Sequence, residues 1–260
     1  MTAAEKWRHD LAAWAIPDEI LRQAPESPWI HPPELFDLPD VIAPSPSHDR
    51  AREALGSEAS VVDIGCGGGI ATFALVPEVQ RAVGIDHQDA MLAMYRRNAH
   101  RFALPVATIS GDWPDVADQT PMGDVVVIHH VAYNVGDFVP FLAAATHHAR
   151  HRVVLELPVT HPLASLSDAW RHFWGLERPH NPTPEDLLAV LQEMGVRPHM
   201  ELWDGPLRTE RNVEQAAHFT RIRLCLPEDR EGDVLEFLEG SPILTRRSLA
   251  TVWWDVDPGE

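Results

Sequence analysis

VVDIGCGGGIAT, residues 61–72, is the stretch on which the fold turns. A short apolar run ends in an acid, Asp63, and glycine then fills positions 65, 67, 68 and 69. Glycine adopts backbone angles closed to other residues and lets a ligand approach the main chain. A helical pattern follows at once from Ile70, so the turn sits at the carboxyl end of a strand, where open α/β sheets bind ligands. Two common readings fail on spacing. A dinucleotide fingerprint, G-x-G-x-x-G, would need glycine where Ile70 or Thr72 stands, and a phosphate loop would need a lysine that does not follow.

Outward from the turn, short runs rich in valine and isoleucine alternate with helical patterns. The strands expected are Ser60–Ile64, Arg81–Ile85, Ala107–Ser110, Asp124–His129 and Arg152–Glu156. Helices are expected at Ile70–Leu75, Ala90–Arg101 and Phe138–Ala149. Such apolar runs suit parallel strands buried on both faces, and the alternation predicts a doubly wound sheet. Toward the C-terminus the pattern predicts helix Pro184–Met194, strand His199–Trp203, helix Asn212–Leu224, a helix near Asp233–Leu238 and strand Leu249–Trp254. The N-terminal 56 residues read as a helical cap and a proline-rich arm. Trp7, Leu11, Trp14 and Ala15 are spaced to share a helix face, and Asp18 is expected to restart the helix after Pro17 as its N-cap. Ser47–Leu55 reads as a short helix leading into residues 57–260, the main domain, which carries an insertion at about 157–182.

Bulk properties narrow the function. Basic residues number 21 against 39 acidic ones, for a net charge of −18, so a phosphate backbone is a disfavoured partner. No apolar run reaches the ~20 residues that span a bilayer, and the N-terminus lacks a secretory h-region, so a cytoplasmic enzyme without membrane contact is expected. Two cysteines, Cys66 and Cys225, form neither a disulfide framework nor a zinc pattern. His147, His148 and His151 invite a metal, but a strand begins near Arg152 and no carboxylate joins them at ligand spacing, so none is expected.

The pattern acidic-x-Gly-x-Gly-x-Gly, formed by Asp63, Gly65, Gly67 and Gly69, resembles the first motif of class I S-adenosylmethionine-dependent methyltransferases. The following strand ends resemble the same family in order and spacing, over roughly residues 58–156. Asp86, seventeen residues after Gly69, is placed to accept from both ribose hydroxyls of an adenosine. Asp112 either accepts from the adenine amino group or simply belongs to a turn; Trp113 either covers the ring or offers its backbone N–H. Cys66 in the turn and His87 beside Asp86 join this cofactor set by the same resemblance. The stretches at 26–36, 129–135 and 174–186 are similar to a bacterial group of the family with no assigned substrate. The resemblance implies a Rossmann-like, seven-stranded, mostly parallel sheet with an antiparallel edge, and S-adenosylmethionine as cofactor.

Methyl transfer from a sulfonium is an in-line displacement, and it needs a base only if the acceptor arrives protonated. His129 or His130, at the end of the fourth strand, is expected to line the transfer site; side chains alternate along a strand, so one of the two faces the substrate, and His129 is favoured. His129 also borders the cofactor. Tyr133 either orients substrate or packs at a helix start. Glu156 either binds a hydroxyl or cationic group or is a solvated strand end, and His161 follows on the same edge. Trp29, His31 and Phe36 in the arm, with Trp170, Phe173 and Trp174 in the insertion, either form a lid or pack. The expected reaction is methylation of a small-molecule oxygen or nitrogen. The alternatives are a protein or RNA methyltransferase, and a non-catalytic cofactor-binding subunit.

Overall fold

The computed structural model describes residues 1–29, 37–206, 213–240 and 247–256. Seven strands form one sheet in the order β3-β2-β1-β4-β5-β7-β6. They span Ser60–Ile64 (β1), Arg81–Asp86 (β2), Val106–Ser110 (β3), Gly123–His129 (β4), Ala149–Pro158 (β5), His199–Asp204 (β6) and Ser248–Asp255 (β7). The first five are parallel, and β7 runs antiparallel to both β5 and β6. The expected doubly wound sheet with an antiparallel edge is therefore present. Chain order reverses where β1 lies between β2 and β4, which opens a crevice at the carboxyl ends of those strands.

The two faces are covered by different helices, and the period of two along each strand sorts side chains between them. Val125 and Val127 of β4 and Val154 of β5 face α3 (Pro46–Glu53), α4 (Ile70–Phe73) and α5 (Asp89–Phe102). Val126 and Ile128 of β4, with Val153, Leu155 and Leu157 of β5, face α1 (Ala3–Ala12), α6 (Phe138–His148) and α8 (Pro184–Glu193). Each of these side chains is at most 1 % exposed, which contributes about 1.5–3 kcal/mol apiece. The same parity sends His129 and Glu156 to the α3 face.

A third core lies apart from the sheet. Ile16 and Ile20, the latter on α2 (Asp18–Leu21), pack with Trp170 of α7 (Ser167–Trp174), Ala217 of α9 (Val213–Arg223) and Val234 of α10 (Glu231–Glu239). Arg221, 1 % exposed, pins this layer through Glu26 at 2.8 Å, Glu231 at 3.1 Å and the Leu226 carbonyl at 3.0 Å. Arg178 ties the N-terminal segment to the insertion. Its guanidinium donates to the Trp14 and Ala15 carbonyls and lies over the Trp14 and Trp170 rings. In this layer α7 follows β5, and α9 and α10 follow β6, two strands that both point to the sheet edge carrying the glycine turn.

Two local expectations are corrected. The first helix stops at Ala12, so Trp14 is buried but Ala15 is exposed instead of sharing its face. Pro17, not Asp18, takes the N-cap position of α2, with Asp18 as the first helical residue. Asn212, expected to open a helix, lies outside the described residues, as do His31 and Phe36. Among the described residues no helix is long and apolar enough to cross a membrane.

Candidate functional site

The glycine turn is shaped by torsion and by space. Gly65, Gly67 and Gly69 have φ of +69°, +49° and +91°. A Cβ on Gly69 would stand 2.2 Å from Phe73 Cε2, and one on Gly65 would stand 2.5 Å from Val131 Cγ2. The N–H groups of Gly65 and Cys66 donate to the Ile85 carbonyl at 2.8 and 2.9 Å, which clamps the turn to β2. Beneath it runs a buried chain: Tyr95 Oη donates to Thr72 Oγ1 at 2.9 Å, and Thr72 donates to Asp63 Oδ2 at 2.8 Å. Asn98 Nδ2 donates to the Gly68 carbonyl at 2.8 Å. Burial pushes the Asp63 carboxyl up to about 7 against the Thr72 hydrogen bond, and also raises the thiol of Cys66. Asp63 and Cys66 thus hold the turn from below. Thr72, Tyr95 and Asn98 escaped the sequence reading because their spacing on helices gave no sign that they point under the turn.

Asp86 ends β2 facing the same turn. Its Oδ2 accepts from the Gly67 N–H at 3.1 Å and its Oδ1 from the Gln88 N–H at 2.9 Å. Each carboxylate oxygen keeps a further lone pair for a ligand hydroxyl. Asp112 is exposed, with His87 Nδ1 3.5 Å from its Oδ1. The Trp113 indole does not cover this site. It donates to the Phe141 carbonyl at 3.1 Å and packs edge-on against His148.

At the ends of β4 and β5 the polar side chains converge with residues of α3. His129 stacks on His48, ring centroids 5.7 Å apart, and its Nε2 is buried with no partner. Burial holds the His129 imidazole down at about 3, and holds His48 below its ordinary value as well. His130 has left-handed backbone, φ +61°, uncommon for a residue with a side chain. That turn swings its ring outward, with Nε2 3.2 Å from Glu156 Oε1. Glu156 is 6 % exposed, so it is no solvated strand end. Burial alone would raise its pKa, but the adjacent His129 and His130 and hydrogen bonds from His130 and Ser47 hold it well below the usual carboxylate range. Ser45, the N-cap of α3, donates to its Oε2 at 3.3 Å.

His130, Glu156, His48 and Ser45 line a cavity of roughly 180 Å³ whose apolar walls include Ile42, Pro44 and Leu249. Ile70, the first residue after the glycine turn, also lines it, so cavity and turn are contiguous. The remaining candidates stand elsewhere. Tyr133 donates to the Pro158 carbonyl at 2.7 Å and stacks on Trp7, a packing role. His161 stacks on Trp14 at 4.0 Å and is held down at about 4 by burial and by Arg178. Trp170 is buried in the third core, with Phe173 and Trp174 packed against it, while Trp29 is 51 % exposed and outside the cavity lining. Among the described residues no group of three or more His, Cys, Asp or Glu side chains is arranged to hold a metal.

Residues 61–152 match the family pattern of a methyltransferase domain. That segment lies in a sheet whose strand order is that of the class I methyltransferase fold. Among solved structures, the domain is similar to the YcgJ protein from Bacillus subtilis, at 16% identity and a TM-score of 0.54, over 82% of this chain and 99% of that one. A putative methyltransferase from Bacillus halodurans is similar at 14% identity and a TM-score of 0.51, again over 82% and 99%. No curated protein matches the sequence significantly.

Proposed function

We propose that the domain transfers a methyl group from S-adenosylmethionine to an oxygen or nitrogen of a small molecule, with His130 as the base. The observation that carries this reading is the contiguity of two features through Ile70: the glycine turn facing Asp86, and the cavity holding His130 and Glu156. The residues fit the cofactor. Left-handed glycines leave no Cβ in the approach to the turn, and Asp86 keeps acceptor capacity for ribose hydroxyls. When bound, the cofactor supplies an electrophilic methyl carbon, and the C–S electron pair stays with sulfur as the acceptor atom bonds to that carbon.

The chain's own part is to position the acceptor and take its proton. Glu156 facing His130 Nε2 favours the tautomer with the proton there, leaving Nδ1 to receive one. The imidazolium so formed is paired with the carboxylate at 3.2 Å, the logic by which an acid orients and stabilises a histidine base. His129, favoured from sequence, is the weaker candidate: its Nε2 is buried and its stacking partner is His48. The layer of α2, α7, α9 and α10 serves in this reading as a cap that excludes water.

Incubation with cofactor labelled at the methyl group and an extract of the source cells tests the reading. Label in the small-molecule fraction, lost in Asp86→Ala, is expected. Label in RNA or protein would replace the acceptor class, and tight cofactor binding with no transfer to any fraction would favour a non-catalytic subunit.

A further inference from the structure

We infer that the acceptor is a neutral hydroxyl compound on an apolar frame, of the phenol class, and that the cavity turns away carboxylates. This rests on the methyl-transfer reading of the same cavity. The first observation is His48, which the sequence reading passed over as part of a helix leading into the core. It is 4 % exposed and lines the cavity, and neither ring nitrogen makes a well-aligned hydrogen bond, the backbone of Ala43 being the polar group beside the ring. Behind it His129 presents a buried, unpaired Nε2. An unmade hydrogen bond at a buried polar atom costs about 1–3 kcal/mol, so three such nitrogens together call for a polar partner. Arg52, engaged with Asp49 and the Ala74 carbonyl, and Asp49 itself are the charged groups on α3 nearest in effect to His48.

The second observation is the sign and kind of the groups offered. Burial keeps both imidazoles neutral near pH 7, and each then offers one donor and one acceptor. Glu156 offers acceptors only, and it is the acid among the lining residues. A hydroxyl both donates and accepts, so it can accept from the His48 ring while its one proton goes to an acceptor of the site. A carboxylate only accepts; it would face the Glu156 charge in a partly desolvated site, and Arg247, the guanidinium in the lining, already has a partner. The walls supplied by Ile42, Pro44, Leu249 and Trp203 suit an apolar ring. Hydroxyl also matches the base. A phenol gives its proton to His130 Nδ1 while its oxygen bonds to the methyl carbon, and the Glu156 carboxylate then balances the new imidazolium. An amine in its reactive, neutral form needs no such base before transfer.

Phenol, aniline and benzoate, alike in ring and different in one group, are the probes. Each is titrated calorimetrically near pH 7 into full-length protein loaded with S-adenosylhomocysteine. Phenol is expected to bind about tenfold or more tighter than benzoate, Glu156→Gln to shrink that gap about fivefold or more, and His48→Phe to weaken phenol by about tenfold. His48→Gln, which keeps a polar group, should recover part of that loss and guards against a misfolded variant. S-adenosylhomocysteine affinity should hold in all three variants. Benzoate matching phenol, a gap untouched by Glu156→Gln, aniline outranking phenol, or no binding of any probe to the loaded protein would overturn the inference. Failure of S-adenosylhomocysteine itself to bind would instead overturn the methyl-transfer reading beneath it.

Discussion

Replacing Asp63 with asparagine should make the protein gain stability as pH rises, relative to the wild type. Asp63 is 1 % exposed under the glycine turn, with the Thr72 hydroxyl as donor. Burial lifts its carboxyl from 3.8 to about 7. Between those values the unfolded chain has released a proton that the folded chain still holds, so stability falls as pH climbs through that window and levels off above it. At about 1.4 kcal/mol per pH unit, the cost is about 1.5 kcal/mol at pH 5 and about 4 kcal/mol at pH 8. Asparagine keeps the shape and the acceptor for Thr72 but carries no charge. The stability of Asp63→Asn minus that of the wild type should therefore shift in the variant's favour by about 3 kcal/mol from pH 5 to pH 8. Urea unfolding of both proteins at the two pH values measures it, and the subtraction cancels groups that titrate alike in both. A difference that is the same at pH 5 and pH 8 would refute the claim that Asp63 is a buried carboxyl of raised pKa.

Gly69→Ala should cost about 2–5 kcal/mol, the sum of left-handed strain and a Cβ driven onto Phe73 and Tyr95, and should abolish cofactor binding; thermal unfolding and a cofactor titration check the two effects. His161 is held at about 4 against an ordinary 6.5, so its contribution to stability is present above pH 6.5 and is lost as pH falls toward 4. His161→Phe should accordingly lose about 2 kcal/mol less than the wild type between pH 7 and pH 5, read by urea unfolding. Arg178→Met leaves the Trp14 and Ala15 carbonyls without their charged donor and should cost about 2–4 kcal/mol, with protease cleavage appearing first in the N-terminal segment.

The frame of the molecule was legible because it rests on local signals. Valine-rich runs alternating with helical patterns specify buried parallel strands, and the seven strands stand within a few residues of where those runs predict them. The glycine turn was legible because its spacing excludes other phosphate- and nucleotide-binding loops. The cavity at the ends of β4 and β5 was not, because its members come together only through register and helix docking. Glu156 reads as the end of a strand, yet Ser45, His130 and the α3 face close over it. His48 reads only as part of a short helix leading into the core, and nothing in that pattern singles it out, although Ser47, His48 and Ala51 all face inward there. Trp113 shows the converse. An aromatic beside the expected adenine site is turned into the core by a single hydrogen bond to Phe141. The choice between His129 and His130 also lay beyond alternation, since the left-handed backbone of His130 breaks the strand between them.

The central claim is that this chain binds S-adenosylmethionine through the glycine turn and Asp86. Calorimetric titration of the cofactor into the wild type and Asp86→Ala tests it most directly. One site per chain is predicted, weakened about tenfold or more in the variant through loss of charged hydrogen bonds to the ribose, with the unfolding transition of the variant preserved. Absence of binding to the wild type, or equal affinity in a folded Asp86→Ala, would contradict the account.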